Sequence, residues 1–223
     1  MHTFTTPAPI STVLDIPAGH IRFIATDRVD TTVEVRPVDT GKSRDVQAAE
    51  QTTVAYTDGI LLIEAASAKN RILGSSGSVE VTVQLPAGSR VEAKAASADL
   101  RGVGRLGDVT FEAARATVEL DEVAGVRVAL QLGDVTIGRL GGDAHVTTQK
   151  GDLTITEATR GTVTLHTKLG DVQIGAARGT SASLDANTGL GSIRNSLDNT
   201  GGSATGLTIH ATTGLGDITG RSL

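Results

Sequence analysis

The sequence of 223 residues contains no cysteine and no tryptophan, and its aromatic residues are limited to three phenylalanines and one tyrosine. Without cysteine, the fold cannot depend on disulfide bonds, and no thiol is available as a catalytic nucleophile. Aromatic rings are also too few to build the stacking platforms that most sugar and single-stranded nucleic-acid sites need. These absences argue against thiol enzymes and against stacking-based recognition.

The charges of the chain show no strong bias toward one sign. The formal net charge is −5, and basic residues such as Arg101, Arg127 and Lys168 are scattered over different positions of the pattern described below. A chain without a basic face is not expected to bind nucleic acid or an anionic membrane as its main partner.

Long apolar runs are missing as well. Residues 1–17 contain no lysine or arginine and no apolar stretch of signal-peptide length, and nothing downstream is long enough to span a membrane. The sequence therefore predicts a cytoplasmic protein without a membrane span. Removal of a signal, or export by a dedicated machine, would leave surface display open.

Proline is confined to the first part of the chain, because all five prolines lie at or before Pro86. From Val91 to the C-terminus, the sequence instead repeats a unit of about eighteen residues that consists of two similar halves. One half has a small residue, then a polar residue that is usually aspartate, then an apolar residue. Its copies begin at Ala98, Ala116, Gly133, Gly151, Gly170, Gly191 and Gly216.

The other half of the unit alternates apolar and polar residues, as Val163, Thr164 and Leu165 do. A period of two is typical of a strand with one buried face. Such short strands cannot bury their apolar face alone, but strands stacked about 4.8 Å apart share one core. The sequence therefore predicts an all-β fold, a single-stranded, β-helix-like solenoid with coils of about eighteen residues.

The first 90 residues do not follow this repeat. Residues 1–90 are predicted to form an N-terminal β cap or diverged first coils, and residues 91–223 one continuous solenoid. Within the cap, Ser43 to Gln51 is expected to hold a short helix and Thr53 to Glu64 a β-hairpin. The spacing between coils is longest near the C-terminus, which predicts a protruding loop within Asn195 to Gly206.

The last recognisable coil, Gly216 to Gly220, is followed by only three residues. A solenoid exposes unpaired strand edges unless something covers its end. The sequence therefore predicts an uncovered C-terminal edge and a homodimer formed tail to tail through it.

Aspartate follows glycine in several coils, so Asp134, Asp152 and Asp171 are expected to form a column. One interpretation is a row of calcium ligands. The other is a cap for the tight turn, in which the carboxylate accepts a hydrogen bond from a backbone N–H two residues on. Thr117 and Ser192 at the same position favour the cap, because a hydroxyl replaces a carboxylate poorly on calcium.

A second candidate site lies on the strands of the other half-unit. Counting along the chain places Thr147, His166, Asp185 and His210 at one outward position of successive coils. His166, Asp185 and His210 would then stand about 5 Å apart and could bind zinc or a similar ion. Three residues in a straight row converge poorly on one ion, and a solvated polar row is the alternative.

Other enzymatic interpretations have little support in the sequence. No serine lies in a nucleophile-elbow motif and no phosphate-binding loop is present. The sequence therefore predicts no catalytic residue, no cofactor and no enzyme activity.

The repeats resemble the bacterial putative-adhesin families of unknown function that are built from β-strand repeats. Leu132-Gly133-Asp134-Val135 and Leu169-Gly170-Asp171-Val172 carry this resemblance, and the Leu85-Pro86-Ala87-Gly88 entry to the repeats is similar to that of actinobacterial members. The family is similar to the head-GIN-like adhesin domains. The resemblance implies a right-handed β-solenoid, which agrees with the usual hand of parallel crossovers.

Three function classes follow from these patterns. The first is a non-catalytic structural or interaction protein that presents polar β faces to a macromolecular partner, here a protein of unknown identity. The second is a self-assembling scaffold resembling bactofilin filaments, which needs both ends of the solenoid open. The third is a cation-binding or polysaccharide-acting β-helix protein, which needs a convergent polar cluster.

Overall fold

The computed structural model describes residues 1–65, 77–198 and 206–223. These residues form two compact units, Met1–Ala116 and Thr117–Leu223. They contain almost only strands, as the sequence predicts. The elements are β1 (His2–Thr5), β2 (Ser11–Thr26), β3 (Asp30–Pro37), α1 (Ser43–Gln51), β4 (Thr53–Thr57), β5 (Ile60–Glu64), β6 (Val79–Pro86), β7 (Arg90–Arg115), β8 (Val118–Leu132), β9 (Val135–Leu140), β10 (Ala144–Lys150), β11 (Leu153–Ala158), β12 (Gly161–Leu169), β13 (Val172–Ala176), β14 (Ala182–Leu190), β15 (Ile193–Ser196), β16 (Leu207–Leu215) and β17 (Ile218–Ser222).

The first unit is organised around β2, which has parallel neighbours on both sides. Along one side it pairs with β7, and along the other its two halves pair with β5 and β6. The strands β3 and β4 then pair antiparallel with β6 and β5, respectively. The predicted short helix is present as α1, which contacts β3 and β6, and the predicted hairpin is formed by β4 and β5. None of the described helical residues forms a segment long and apolar enough to cross a membrane.

The core of this unit contains one polar group without a partner. Thr12 lies on β2 between Leu61 and Val91 in the register, and it is fully buried. Its hydroxyl is the one buried side-chain oxygen or nitrogen in the described residues that has no hydrogen bond. A buried hydroxyl without a partner loses its hydration and gains nothing in return.

We therefore expect Thr12→Val to raise the free energy of unfolding by about 1 kcal/mol, because a methyl group replaces the unsatisfied hydroxyl at nearly the same volume. Urea unfolding of the two chains measures the difference. The matched control is Thr6→Val. The Thr6 hydroxyl is also buried but bonds to the Thr31 hydroxyl at 2.8 Å, so this change should lower stability. A loss of stability in both variants would contradict the prediction.

The second unit consists of two rows of parallel strands. Ladder A contains residues 126–132 of β8 and the strands β10, β12, β16 and β14. Ladder B contains residues 118–123 of β8 and the strands β9, β11, β13, β17 and β15. The prediction that Val135, Leu153 and Val172 lie one above another is confirmed by the register of ladder B. All three are buried, so neighbouring coils share one core.

The order of the coils differs from their order along the chain. Strand β16 lies between β12 and β14, and β17 lies between β13 and β15. The C-terminal coil is therefore covered on both sides, and the expected uncovered edge at Gly216 to Gly220 is wrong. Among the described residues, the outermost coil of this unit is formed by β14 and β15. The repeat pattern could not show this, because every coil offers the same apolar face to its neighbours.

The sequence of the C-terminal coil accommodates this insertion. Ladder B has Ile137, Ile155 and Ile174 at one buried position, whereas β17 has Gly220 there. The space beside Gly220 is taken by the side chains of Leu184 and Leu197 from the outermost coil. Of the predicted loop, residues 195 and 196 belong to β15 and residues 199–205 lie outside the described residues.

Candidate functional site

The most regular polar feature of the second unit is the corner where ladder A turns into ladder B. Each aspartate of this corner accepts a hydrogen bond from a backbone N–H of the next coil in space. The Oδ1 atom of Asp152, for example, accepts from the Asp171 N–H at 2.8 Å. The same bond joins Asp134 to Asp152, Asp171 to Asp217, and Asp217 to Ser192.

These bonds correct the expected partner of the aspartates. The carboxylates do not reach two residues along their own turn but tie each coil to its neighbour. Ser192 lies on the outermost coil, where no further described coil needs a carboxylate, so a short hydroxyl side chain at this end is consistent with the arrangement. A carboxylate oxygen that is held by a backbone N–H serves the stacking of coils, which favours the structural interpretation over a row of calcium ligands.

Glycine precedes each of these positions because the backbone leaves no room for a side chain. Gly170 has φ +147°, in a region that L-residues rarely adopt. A Cβ atom built there would overlap the carbonyl oxygen of Gly151 on the neighbouring coil. The same overlap recurs at Gly191 and Gly216, so the close stacking of the corners requires glycine.

Threonine completes the corner, and sequence reasoning missed it. In four coils, a threonine hydroxyl three residues before the Gly of the motif donates to the carbonyl of a glycine on the neighbouring coil. The signal was present in the sequence as Thr-x-x-Gly in four coils. The bonds join Thr167 to Gly151 at 3.0 Å, Thr213 to Gly170 at 2.9 Å and Thr188 to Gly216 at 2.9 Å.

The outer face of ladder A carries the predicted metal-binding residues. Asp185 and His210 are partners in the register of β14 and β16, and their side chains approach to 3.5 Å between Oδ2 and Nδ1. His166 is not in their column, because its partner on β16 is Thr212. The predicted column aligned Val163 with Ala182 and Leu207. In the structure Val163 aligns with Ile209, which in turn aligns with Leu184, so His166 shares its column with Thr212 and Asn187.

The described residues contain no group of three or more histidine, aspartate or glutamate side chains that could hold a metal ion. The structure thus brings Asp185 and His210 together and leaves His166 displaced by two residues along the neighbouring strand. Both partners of the pair are largely exposed, with 49% of the His210 and 83% of the Asp185 side chain accessible. The metal site at His166, Asp185 and His210 stays a prediction.

The outward positions of ladder A form a continuous polar surface. One column contains Arg127, His145, Thr164, His210 and Asp185 in spatial order. The adjacent column contains Ala129, Thr147, His166, Thr212 and Asn187. We call these two columns the ladder A face.

The chain is similar to several solved structures, and the first of the three given below supports the β-solenoid-like fold. A putative adhesin from Bacteroides fragilis is 16% identical, with a TM-score of 0.60 over 98% of this chain and 95% of that chain. A putative cell adhesion protein from Clostridium sporogenes is 15% identical, with a TM-score of 0.42 over 100% of this chain and 98% of that chain. A putative adhesin from Parabacteroides distasonis is 14% identical, with a TM-score of 0.42 over 98% and 95%, respectively.

No curated protein matches the sequence. A family model described as Toastrack DUF4097 matches residues 13–219. The match spans most of the chain, and together with the adhesin-like neighbours it confirms the resemblance to a putative-adhesin family of unknown function. The chain therefore belongs to the Toastrack DUF4097 family.

Proposed function

We propose that this protein is a non-catalytic interaction protein that binds a protein partner through the ladder A face. The proposal includes right-handed coils of about eighteen residues, since parallel crossovers are almost always right-handed. The adhesin-like solved structure from Bacteroides fragilis supports an interaction role by analogy of fold. The cytoplasmic location expected from the sequence stays a prediction.

The size of the ladder A face is the observation that carries this proposal. Its strands β12, β14 and β16 have nine residues each, whereas β13 and β17 of ladder B have five. Five strands of seven to nine residues span about 600 to 700 Å², and the six shorter strands of ladder B about 500 Å². A stable protein interface buries about 800 Å² on each partner, so the ladder A face comes closer to the required area.

The composition of this face also suits a specific protein contact. Apart from Ala129, its side chains are histidine, threonine, asparagine, one arginine and one aspartate, which supply both hydrogen-bond donors and acceptors. Neighbouring strands lie about 4.8 Å apart, so each column presents a row of evenly spaced side chains. A partner strand or loop can form hydrogen bonds with several of them. The bactofilin-like alternative is less well supported, because β3 and β4 pair antiparallel onto the strands that flank β2.

A charge-matched pull-down tests the proposal. The first variant carries His145→Glu and His166→Glu on the ladder A face. The control carries Thr156→Glu and Gln173→Glu at exposed positions of ladder B. We expect the wild type and the control to retain one protein from native lysate that the first variant loses. Equal retention by all three chains, or equal loss in both variants, would count against the ladder A face.

A further inference from the structure

Strand β14 lies at one end of ladder A, and no described strand pairs with its outer edge. Strand β14 has nine residues, and the one described strand that pairs with it is β16. At the start of β14 the Ala182 N–H donates to the Asp198 carbonyl at 3.3 Å, so the open part of the edge begins after Ala182. Such an edge presents a row of backbone N–H and C=O groups that can pair with another strand. The edge is about 30 Å long, which is enough for several ladder hydrogen bonds.

This edge lacks the features by which proteins usually prevent edge pairing. It contains no lysine and no proline, and its register with β16 runs without a bulge. Its one charged residue, Asp185, already faces His210 at 3.5 Å. Natural edge strands that must stay single carry charges, prolines or bulges, so the edge of β14 is open to pairing.

Apolar side chains at this end of the unit are also incompletely covered. Ile193 occupies the ladder B column of Val135, Leu153, Val172 and Ile218, whose members are at most 1% exposed, but it is itself 45% exposed. Leu190, at the end of β14, is 70% exposed. Removing such side chains from water is favourable in proportion to the apolar surface that is buried, which favours a cover over this end.

We propose that the cover is a second copy of this chain, which pairs its own β14 antiparallel with the first across a two-fold axis. The axis is perpendicular to the sheet and passes between the Ala186 residues of the two copies. Inward residues then stay inward and outward residues stay outward. This axis places Asp185 of each copy opposite Asn187 of the other. The two-fold axis produces this carboxylate–amide pair two times in the dimer. On the inner side, Leu184 of each copy faces Thr188 of the other.

The sequence of β14 favours this register over its nearest competitors. Centring the axis on Asp185 places two carboxylates directly opposite each other, which is destabilising. Centring it on Asn187 leaves Asp185 opposite Gly189, without a donor side chain. A foreign strand would meet the same edge, but the Asp-x-Asn spacing around Ala186 is complementary to itself. The proposal does not depend on the partner of the ladder A face.

Sedimentation equilibrium of the full chain tests the dimer. We expect the wild type to show a concentration-dependent dimer below about 200 µM. Asn187→Asp places a carboxylate of each copy opposite Asp185 of the other. This change should raise the dissociation constant of the dimer at least about tenfold. The matched control is Thr212→Asp, which adds the same charge in the same column one coil further in and should leave the dimer unchanged.

A compensating change makes the test specific for the register. Combining Asp185→Asn with Asn187→Asp restores one carboxylate opposite one amide and should return the dimer to within about threefold of the wild-type constant. Circular dichroism checks that each variant is folded. A wild-type chain that stays monomeric up to about 200 µM would overturn the proposal. So would a dimer that Asn187→Asp leaves intact, or a double variant that stays as weak as the single one.

Discussion

Replacing Gly170 by alanine is expected to destabilise the second unit by about 4 kcal/mol or more. Two costs combine at this position. The φ of +147° lies in a region that costs a non-glycine residue about 1 to 3 kcal/mol. The new Cβ atom would also overlap the Gly151 carbonyl oxygen. Because this oxygen belongs to the backbone of the neighbouring coil, the overlap can be relieved only by moving the two coils apart. Urea unfolding, followed by circular dichroism, measures the loss.

The matched control for this prediction is Gly179→Ala. Gly179 also has a positive φ, +74°, but a Cβ atom there meets nothing within 4 Å. Alanine at Gly179 should therefore cost only the conformational strain, about 1 kcal/mol. If the two variants lose equal stability, the close approach of Gly170 to Gly151 does not limit the stacking of coils.

The same close approach explains which parts of the fold the sequence predicts. Gly-Asp corners and alternating strands recur in most copies, so the residues that share a column of ladder B can be identified from the repeat. The register of Val135, Leu153 and Val172 confirms this. These features depend on contacts that every coil makes in the same way, and the repeat therefore encodes them.

The order of the coils could not be predicted in this way. The columns continue equally well whether β16 follows β14 or β12, because both neighbours offer the same pattern of apolar, glycine and threonine positions. The register of β12 was also two residues off, because Val163 aligns with Ile209 and not with Leu207. His166 therefore lies in the column of Asn187 and not in that of Asp185. One signal was available in Gly220, since a glycine in a column of isoleucines indicates that side chains from elsewhere fill the space.

The threonines of the corner illustrate a second limit. The role of a buried hydroxyl can be predicted only when its hydrogen-bond acceptor is known. The acceptor of the Thr213 hydroxyl is the carbonyl of Gly170, more than forty residues earlier in the chain. Single-sequence patterns contain no such distant pairing. The corner was therefore identified from its glycines and aspartates alone.

The inserted C-terminal coil leads to a prediction about two isoleucines that are partners in the register. Ile218 on β17 is fully buried, and Ile193 on β15 is 45% exposed. Ile218→Ala should lower the free energy of unfolding by about 2 to 5 kcal/mol, because it leaves a cavity between two coils. Ile193→Ala removes a half-exposed side chain at the end of the unit and should cost less than about 1 kcal/mol.

This pair tests the coil order directly, since both variants make the same chemical change in the same column. If the coils stacked in the order of the chain, Ile193 would lie inside and Ile218 at the end, and the two costs would be reversed. Both changes are best measured by urea unfolding in the Asn187→Asp background, so that a second copy does not cover Ile193. A larger loss for Ile193→Ala than for Ile218→Ala would contradict the insertion of β16 and β17 between their neighbours.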